Sequence, residues 1–252
     1  MDDILIYGGK TEARHQAYVE KILQQCVKYE LAVNLTKSEF HVYEVIFLGH
    51  IVNSSQFYMH PARLETMYKW PVPIKKTEVQ AFLGFANYYR KFIENYSAKA
   101  LPLIDLTKDE PFSWGHQQQQ AFAELRTSFF CDTILTQFDR TLETIMETDA
   151  STQAIAGILS QYHIVNGAKQ RHHVAYHAKT ISAAKRNWPM HDKQLFVIVD
   201  SFRKCEDWLV GVEVNVYTDH QGLQYFHTKQ KLDFRQVSWY IHMSKFRYSI
   251  HY

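Results

Sequence analysis

The chain is 252 residues long, enough for one large or two small domains. Apolar residues at 46% and aromatics at 15% exclude a disordered chain, and a formal net charge of +2 excludes a global basic field, so any nucleic-acid surface must be local. Cys26, Cys131 and Cys205 lack metal-ligand spacing and favour an intracellular chain with free thiols; no signal-peptide pattern follows Met1, and apolar runs such as Leu195–Val199 are too short for a bilayer, so no membrane is expected.

In chain order, Asp2-Asp3 followed by Ile4-Leu5-Ile6-Tyr7 reads as a turn feeding a strand. Glu12 to Tyr29 keeps helical spacing through Tyr18, Val19, Ile22, Leu23 and Cys26. Phe47-Leu48-Gly49-His50 reads as a hairpin turn, where glycine permits close approach of a partner to the backbone. Trp70-Pro71-Val72-Pro73 is a rigid extended connector. Thr77 and Gln80 have capping-box spacing. Val79, Phe82, Leu83, Ala86, Tyr89 and Ile93 then mark one apolar helix face, with Lys75, Lys76, Arg90, Lys91 and Lys99 around it. Leu101 to Trp114 reads as a connector, and a helix from about Gln117 to Phe129 buries Ala121, Phe122 and Leu125.

From residue 137 the pattern changes. Leu142 to Met146 reads as a strand running into Glu147-Thr148-Asp149-Ala150-Ser151, and small residues from Ala154 to Ser160 suit a second strand turning back on it. Val174 to Ala178 reads as a third strand. Pro189 to Leu209 is helix-like, with Leu195, Ile198, Val199 and Phe202 at three- and four-residue spacing. Asn215 to His220 is a short strand ending in Asp219, Leu232 to Trp239 a further helix, and Phe246 to Tyr252 a last strand. An Asp at a strand end with small neighbours suits a hard cation, which needs an exposed carboxylate and room for water. Of the fourteen histidines no pair has the surroundings of a zinc site. His172 and His173, being adjacent on a strand, point to opposite faces, and His220 is read as a surface histidine.

The order strand–Asp, strand, strand, helix, strand–Asp resembles the ribonuclease H domain of Gypsy-type LTR retrotransposon polyproteins, whose motifs match Glu147–Ser151, His191–Leu195 and Tyr217–His220. The middle motif departs: Gln194 stands where the family has Glu. The resemblance extends to the front, where Met1–Tyr7 looks like the end of a reverse transcriptase palm, Phe47–His50 like its primer-grip turn and Phe82–Ile93 like its thumb. It therefore implies an α/β (α+β) chain with three parts. These are a C-terminal palm remnant over 1–60, thumb and connection helices over 61–136, and a ribonuclease H-like domain over 137–252 with a mixed five-stranded sheet and flanking helices.

In function the resemblance implies RNA-directed DNA polymerase and RNA–DNA hybrid hydrolysis with Mg2+, acting on hybrid or template–primer. It assigns metal ligation and catalysis to Asp2 and Asp3 in the palm and to Asp149 and Asp219 in the ribonuclease H part, with Gln194 at the degenerate Glu position. It assigns nucleic-acid contacts to Phe47, Leu48, Gly49, His50, Lys75, Lys76, Arg90 and Lys91. The family places a further palm Asp before Met1 and a fourth ribonuclease H acid after Tyr252, so impaired activity is expected, and a separate chain could supply the missing palm. No acid on the central helix compensates: Asp192 and Asp200 lie about 200° and 240° from Gln194 at 100° per residue. The alternative is a host-recruited scaffold that keeps the fold and binds nucleic acid or protein without catalysis.

Overall fold

The computed structural model describes residues 3–8, 11–108, 111–130, 134–219 and 233–252. Asp2, His220, Cys131 and Leu232 lie outside them. The first helix, α1 (Glu12–Lys28), is capped by Thr11, whose side chain accepts from the Arg14 N–H; of its apolar residues only Cys26 is buried. The strand expected at Ile4–Tyr7 does not form. Ile4 and Tyr7 are exposed, and neither described sheet includes the segment.

That sheet has the order β1 (Glu44–Phe47), β2 (His50–Asn53), β3 (Gln56–Met59), β4 (Leu135–Thr136), all antiparallel. Leu48 and Gly49 form the β1–β2 turn with φ of 49° and 76°. Both are left-handed, as a two-residue hairpin turn with the right twist requires, and only the glycine adopts this without strain. The β2–β3 turn is held by Asn53, whose side-chain oxygen accepts from the Ser55 and Gln56 N–H groups. Pairing of β3 with β4 ties residues 56–59 to the segment entering the second half.

Four helices, α2 (Pro61–Tyr68), α3 (Lys76–Tyr88), α4 (Tyr96–Asp105) and α5 (His116–Ser128), close a core around Phe82, Phe92, Phe122 and Phe129. The capping box expected at Thr77 and Gln80 is corrected. Lys75 is the N-cap, without a side-chain hydrogen bond, and Glu78 reaches back to the Ile74 N–H. The connector expected from Leu101 is also corrected, because α4 runs through Pro102. A helical proline costs about 3 kcal/mol. Burial of Tyr96, Ala100 and Leu103 on the inner face offsets it at about 1.5–3 kcal/mol for a large side chain. Ala98, whose carbonyl loses its partner, lies on the exposed side.

The second half is a five-stranded sheet of order β7-β6-β5-β8-β9, built from β5 (Thr144–Ala150), β6 (Ala154–Val165), β7 (Ala168–Thr180), β8 (Glu213–Thr218) and β9 (Arg247–His251). It is mixed as expected: β5–β6 and β6–β7 are antiparallel, β5–β8 and β8–β9 parallel. The short α6 (Ala183–Arg186) precedes α7 (Met190–Lys204), which crosses one face and buries Leu195, Ile198, Val199 and Phe202 against Met146, Leu159, Val214 and Val216. The helix expected to reach Leu209 breaks at Cys205. A separate turn, α8 (Glu206–Leu209), redirects the chain so that Leu209 enters the core. The last helix, α9 (Phe234–Met243), adds Trp239 and Met243 to the same core. On the opposite face, Ile158, Tyr176 and Ala178 join the core of α3–α5. No described helix is long and apolar enough to cross a membrane.

Candidate active site

The site grows from the parallel pairing of β5 and β8. Their last registered pair is Thr148 with Thr218, so Asp149 and Asp219, one residue further on each strand, sit side by side at the same end of the sheet. Adjacent strands lie about 4.8 Å apart, so the two exposed Asp residues stand at neighbouring strand ends. Asp149 is the penultimate residue of β5, not the residue after it.

Helix α7 supplies the third member. Gln194, 1% exposed, donates from Nε2 to Asp219 Oδ1 at 2.6 Å, and the Thr218 hydroxyl lies 3.5 Å from Gln194 Oε1. The amide is therefore engaged with one of the two carboxylates. Asp192 and Asp200 are occupied elsewhere, as the helical angles imply. Buried Asp192 accepts from Gln236 Nε2 at 2.8 Å and Arg235 Nη2 at 3.3 Å, docking the capping box of α9 on the first turn of α7. Asp200 meets His177 at 2.8 Å and Lys179 at 3.0 Å. Burial pushes the Asp200 carboxyl up, but the hydrogen bonds and charges of His177 and Lys179 outweigh it and hold the pKa down at about 2.

Alternation along β5 places Met146, Thr148 and Ala150 towards α7 and Glu147 and Asp149 on the other face. There Glu147 pairs with Arg171 at 2.7 Å and Glu143 with Lys169 at 2.7 Å. The same face of β8 and β9 carries Asn215, Tyr217 and His251. His251 hydrogen-bonds Asn215 at 3.1 Å and stacks on Tyr217 at 5.1 Å. This polar strip, ending at Asp149 and Asp219, is accessible. Sequence reasoning missed the roles of Thr218, Arg171 and Arg235. The repeated Thr-Asp dipeptide, Thr148-Asp149 and Thr218-Asp219, was the available signal for the first.

Among the described residues, the front positions singled out in the sequence fall in separate surroundings. Asp3 is exposed in a segment without regular structure. In the Phe47–His50 turn, His50 is buried, stacked on Tyr88 at 5.6 Å with Tyr89 and Phe92 around it, while the Tyr88 hydroxyl donates to the Leu48 carbonyl. Burial, then the Lys91 charge, lowers the His50 pKa to about 4. Lys91 itself lies over the rings of Phe57 and Phe92 at 4.9 and 5.3 Å, and burial lowers its pKa. Lys75 pairs with Glu78 at 3.6 Å, Lys76 donates to the Lys108 carbonyl, and Arg90 lies 3.4 Å from Asn87.

Comparison with known proteins fits this geometry. Residues 139–246 match the family described as the RNase H-like domain found in reverse transcriptase. Aligned over 257 positions that cover all of this chain, the Tf2-3 and Tf2-4 transposon polyproteins of Schizosaccharomyces pombe are 30% identical to it, and the chain spans 19% of their length. Among solved structures, a foamy viral protease-reverse transcriptase in complex with double-stranded DNA superposes with a TM-score of 0.70 at 21% identity, covering 97% of this chain and 44% of that one. The foamy viral protease-reverse transcriptase in complex with RNA/DNA hybrid gives 0.69 at 22% identity, covering 97% and 34%. At these identities the superpositions show the fold. RNase H-like domains of reverse transcriptases are generally metal-dependent. Residues 139–246 are thus an RNase H-like domain of the kind found in reverse transcriptase, set in a chain similar over its full length to part of the Tf2 polyproteins of Gypsy-type LTR retrotransposons.

Proposed function

We propose that residues 137–252 engage an RNA–DNA duplex on the open face of β5, β8 and β9 and hydrolyse it poorly. The observation that carries this is the Gln194–Asp219 hydrogen bond. A two-ion hydrolytic site needs several carboxylates, because two divalent ions about 4 Å apart repel by roughly 17 kcal/mol at an effective dielectric of 20. Asp149 and Asp219 bring two negative charges, and the Gln194 amide adds none while engaging one of their oxygens. Among the described residues no group of three or more His, Cys, Asp or Glu could hold a metal ion. The donor set fits one weakly held Mg2+ between Asp149 and Asp219. When bound, such an ion supplies Lewis-acid polarisation at a phosphate; the chain's own residues position the strand and hold the two Asp carboxylates in register.

Residues 61–136 are proposed as thumb and connection, with Lys75, Lys76 and Arg90 as phosphate contacts from exposed or half-exposed positions. Asp2 and Asp3 are proposed as palm metal ligands that act only together with palm residues outside this chain, from the same polyprotein or a partner. Fluorescence anisotropy of a labelled RNA–DNA hybrid tests the central reading. Binding should carry a Mg2+-dependent component that Asp149→Asn removes. No hybrid binding, with capture of a defined protein partner instead, would favour the scaffold reading.

A further inference from the structure

We propose a second metal site, independent of the carboxylates, formed by His163 and His172 near the tip of the β6–β7 hairpin and suited to Zn2+. The hairpin turns at Asn166-Gly167, both left-handed, and this sets Val165 opposite Ala168 and His163 opposite Gln170. His172 lies two residues beyond Gln170, so His163 and His172 are diagonal neighbours on one face, a spacing that long side chains bridge. Their ring centres are 4.9 Å apart, with the planes at 77°. In both residues Nε2 is buried and has no hydrogen-bond partner.

Two adjacent orphaned imidazole nitrogens are costly, since each has lost its water without gaining a partner. A shared cation satisfies both. With Zn–N bonds of about 2.05 Å and about 1.1 Å from nitrogen to ring centre, each centre stands about 3.2 Å from the ion, and a near-tetrahedral pair of such rings has centres about 5 Å apart. The observed separation meets that requirement. Imidazole nitrogens select zinc, copper or nickel over magnesium, so this site and the Asp149–Asp219 pair would take different ions. Two protein ligands leave positions for water or for a donor from another molecule. The ion would clip β6 to β7 beside Lys169 and Arg171, whose ion pairs reach across to Glu143 and Glu147.

The test is titration of the full chain, labelled with 15N-histidine, with zinc chloride. At one equivalent the Nε2 resonances of His163 and His172 should move together, ahead of exposed His116. By calorimetry His163→Asn and His172→Asn should each weaken the first zinc by about tenfold or more, since even outer-shell substitutions at metal sites cost 10–100-fold. His116→Asn should leave it unchanged. Zinc that shifts other imidazoles first, or binds both variants as it binds the unaltered chain, would overturn the proposal. The spectra of the unaltered chain decide the matter if a variant does not fold.

Discussion

Gln194→Glu is the most informative single change. It adds a negative charge at a 1% exposed position whose amide now sits 2.6 Å from Asp219 Oδ1. Without metal, two carboxylates about 3 Å apart repel by roughly 5 kcal/mol at an effective dielectric of 20, so the pair retains a proton between them. That raises its folded pKa above the unfolded value. The variant is then most stable at low pH and loses stability as pH rises through the raised pKa. With Mg2+ the sign reverses, because a divalent ion about 4 Å from an added carboxylate gains roughly 8 kcal/mol before desolvation is subtracted. Even if desolvation takes most of this, a residual of about 1.4 kcal/mol is tenfold in affinity. Calorimetric Mg2+ titration and melting at pH 6 and pH 8, with and without Mg2+, provide the assay. The metal-free variant should melt below the unaltered chain at pH 8, and at least tenfold tighter Mg2+ binding should bring it back. A variant with unchanged Mg2+ affinity and unchanged melting at both pH values would mean that Gln194 does not occupy the family's Glu position.

Three further outcomes follow from the packing. A Cβ at Gly157 would meet Ser201 Oγ at 2.4 Å, so Gly157→Ala should cost about 1–3 kcal/mol in denaturant unfolding, and Ser201→Ala in the same chain should recover most of it. Asp200→Asn should cost about 1–2 kcal/mol at pH 6, a value discounted for the half-exposed Lys179. Because the folded pKa is depressed, that difference should vanish as pH falls from about 4 to about 2, followed by circular dichroism. His50 is neutral when folded, so stability should fall as pH drops from 6.5 towards about 4, and His50→Phe should flatten that part of the melting-temperature profile.

The sequence carried the second half of the molecule well and the first half less so. The strands that end in Asp149 and Asp219 and the apolar face of α7 were readable because each pattern repeats at the period of its own element. The register that sets the two Asp residues side by side was readable only through resemblance, since no local pattern encodes parallel pairing. Ile4–Tyr7 failed because apolar alternation states what a segment can pair with, not whether a partner is present. The helix through Pro102 was hidden because its inner face, Tyr96, Ala100 and Leu103, overrides a local breaker only once the core exists. The His163–His172 contact was within reach of sequence: Asn166-Gly167 is a two-residue hairpin turn, and counting outward from it pairs His163 with Gln170.

The central claim is a duplex-binding RNase H-like domain whose cleavage is crippled at position 194. It is tested most directly by incubating the chain with an end-labelled RNA–DNA hybrid in Mg2+ and resolving the RNA on a denaturing gel. The expected result is RNA left intact by the unaltered chain, with cleavage rising measurably above background in Gln194→Glu. Efficient cleavage by the unaltered chain, abolished by Asp149→Asn and unchanged by Gln194→Glu, would contradict it.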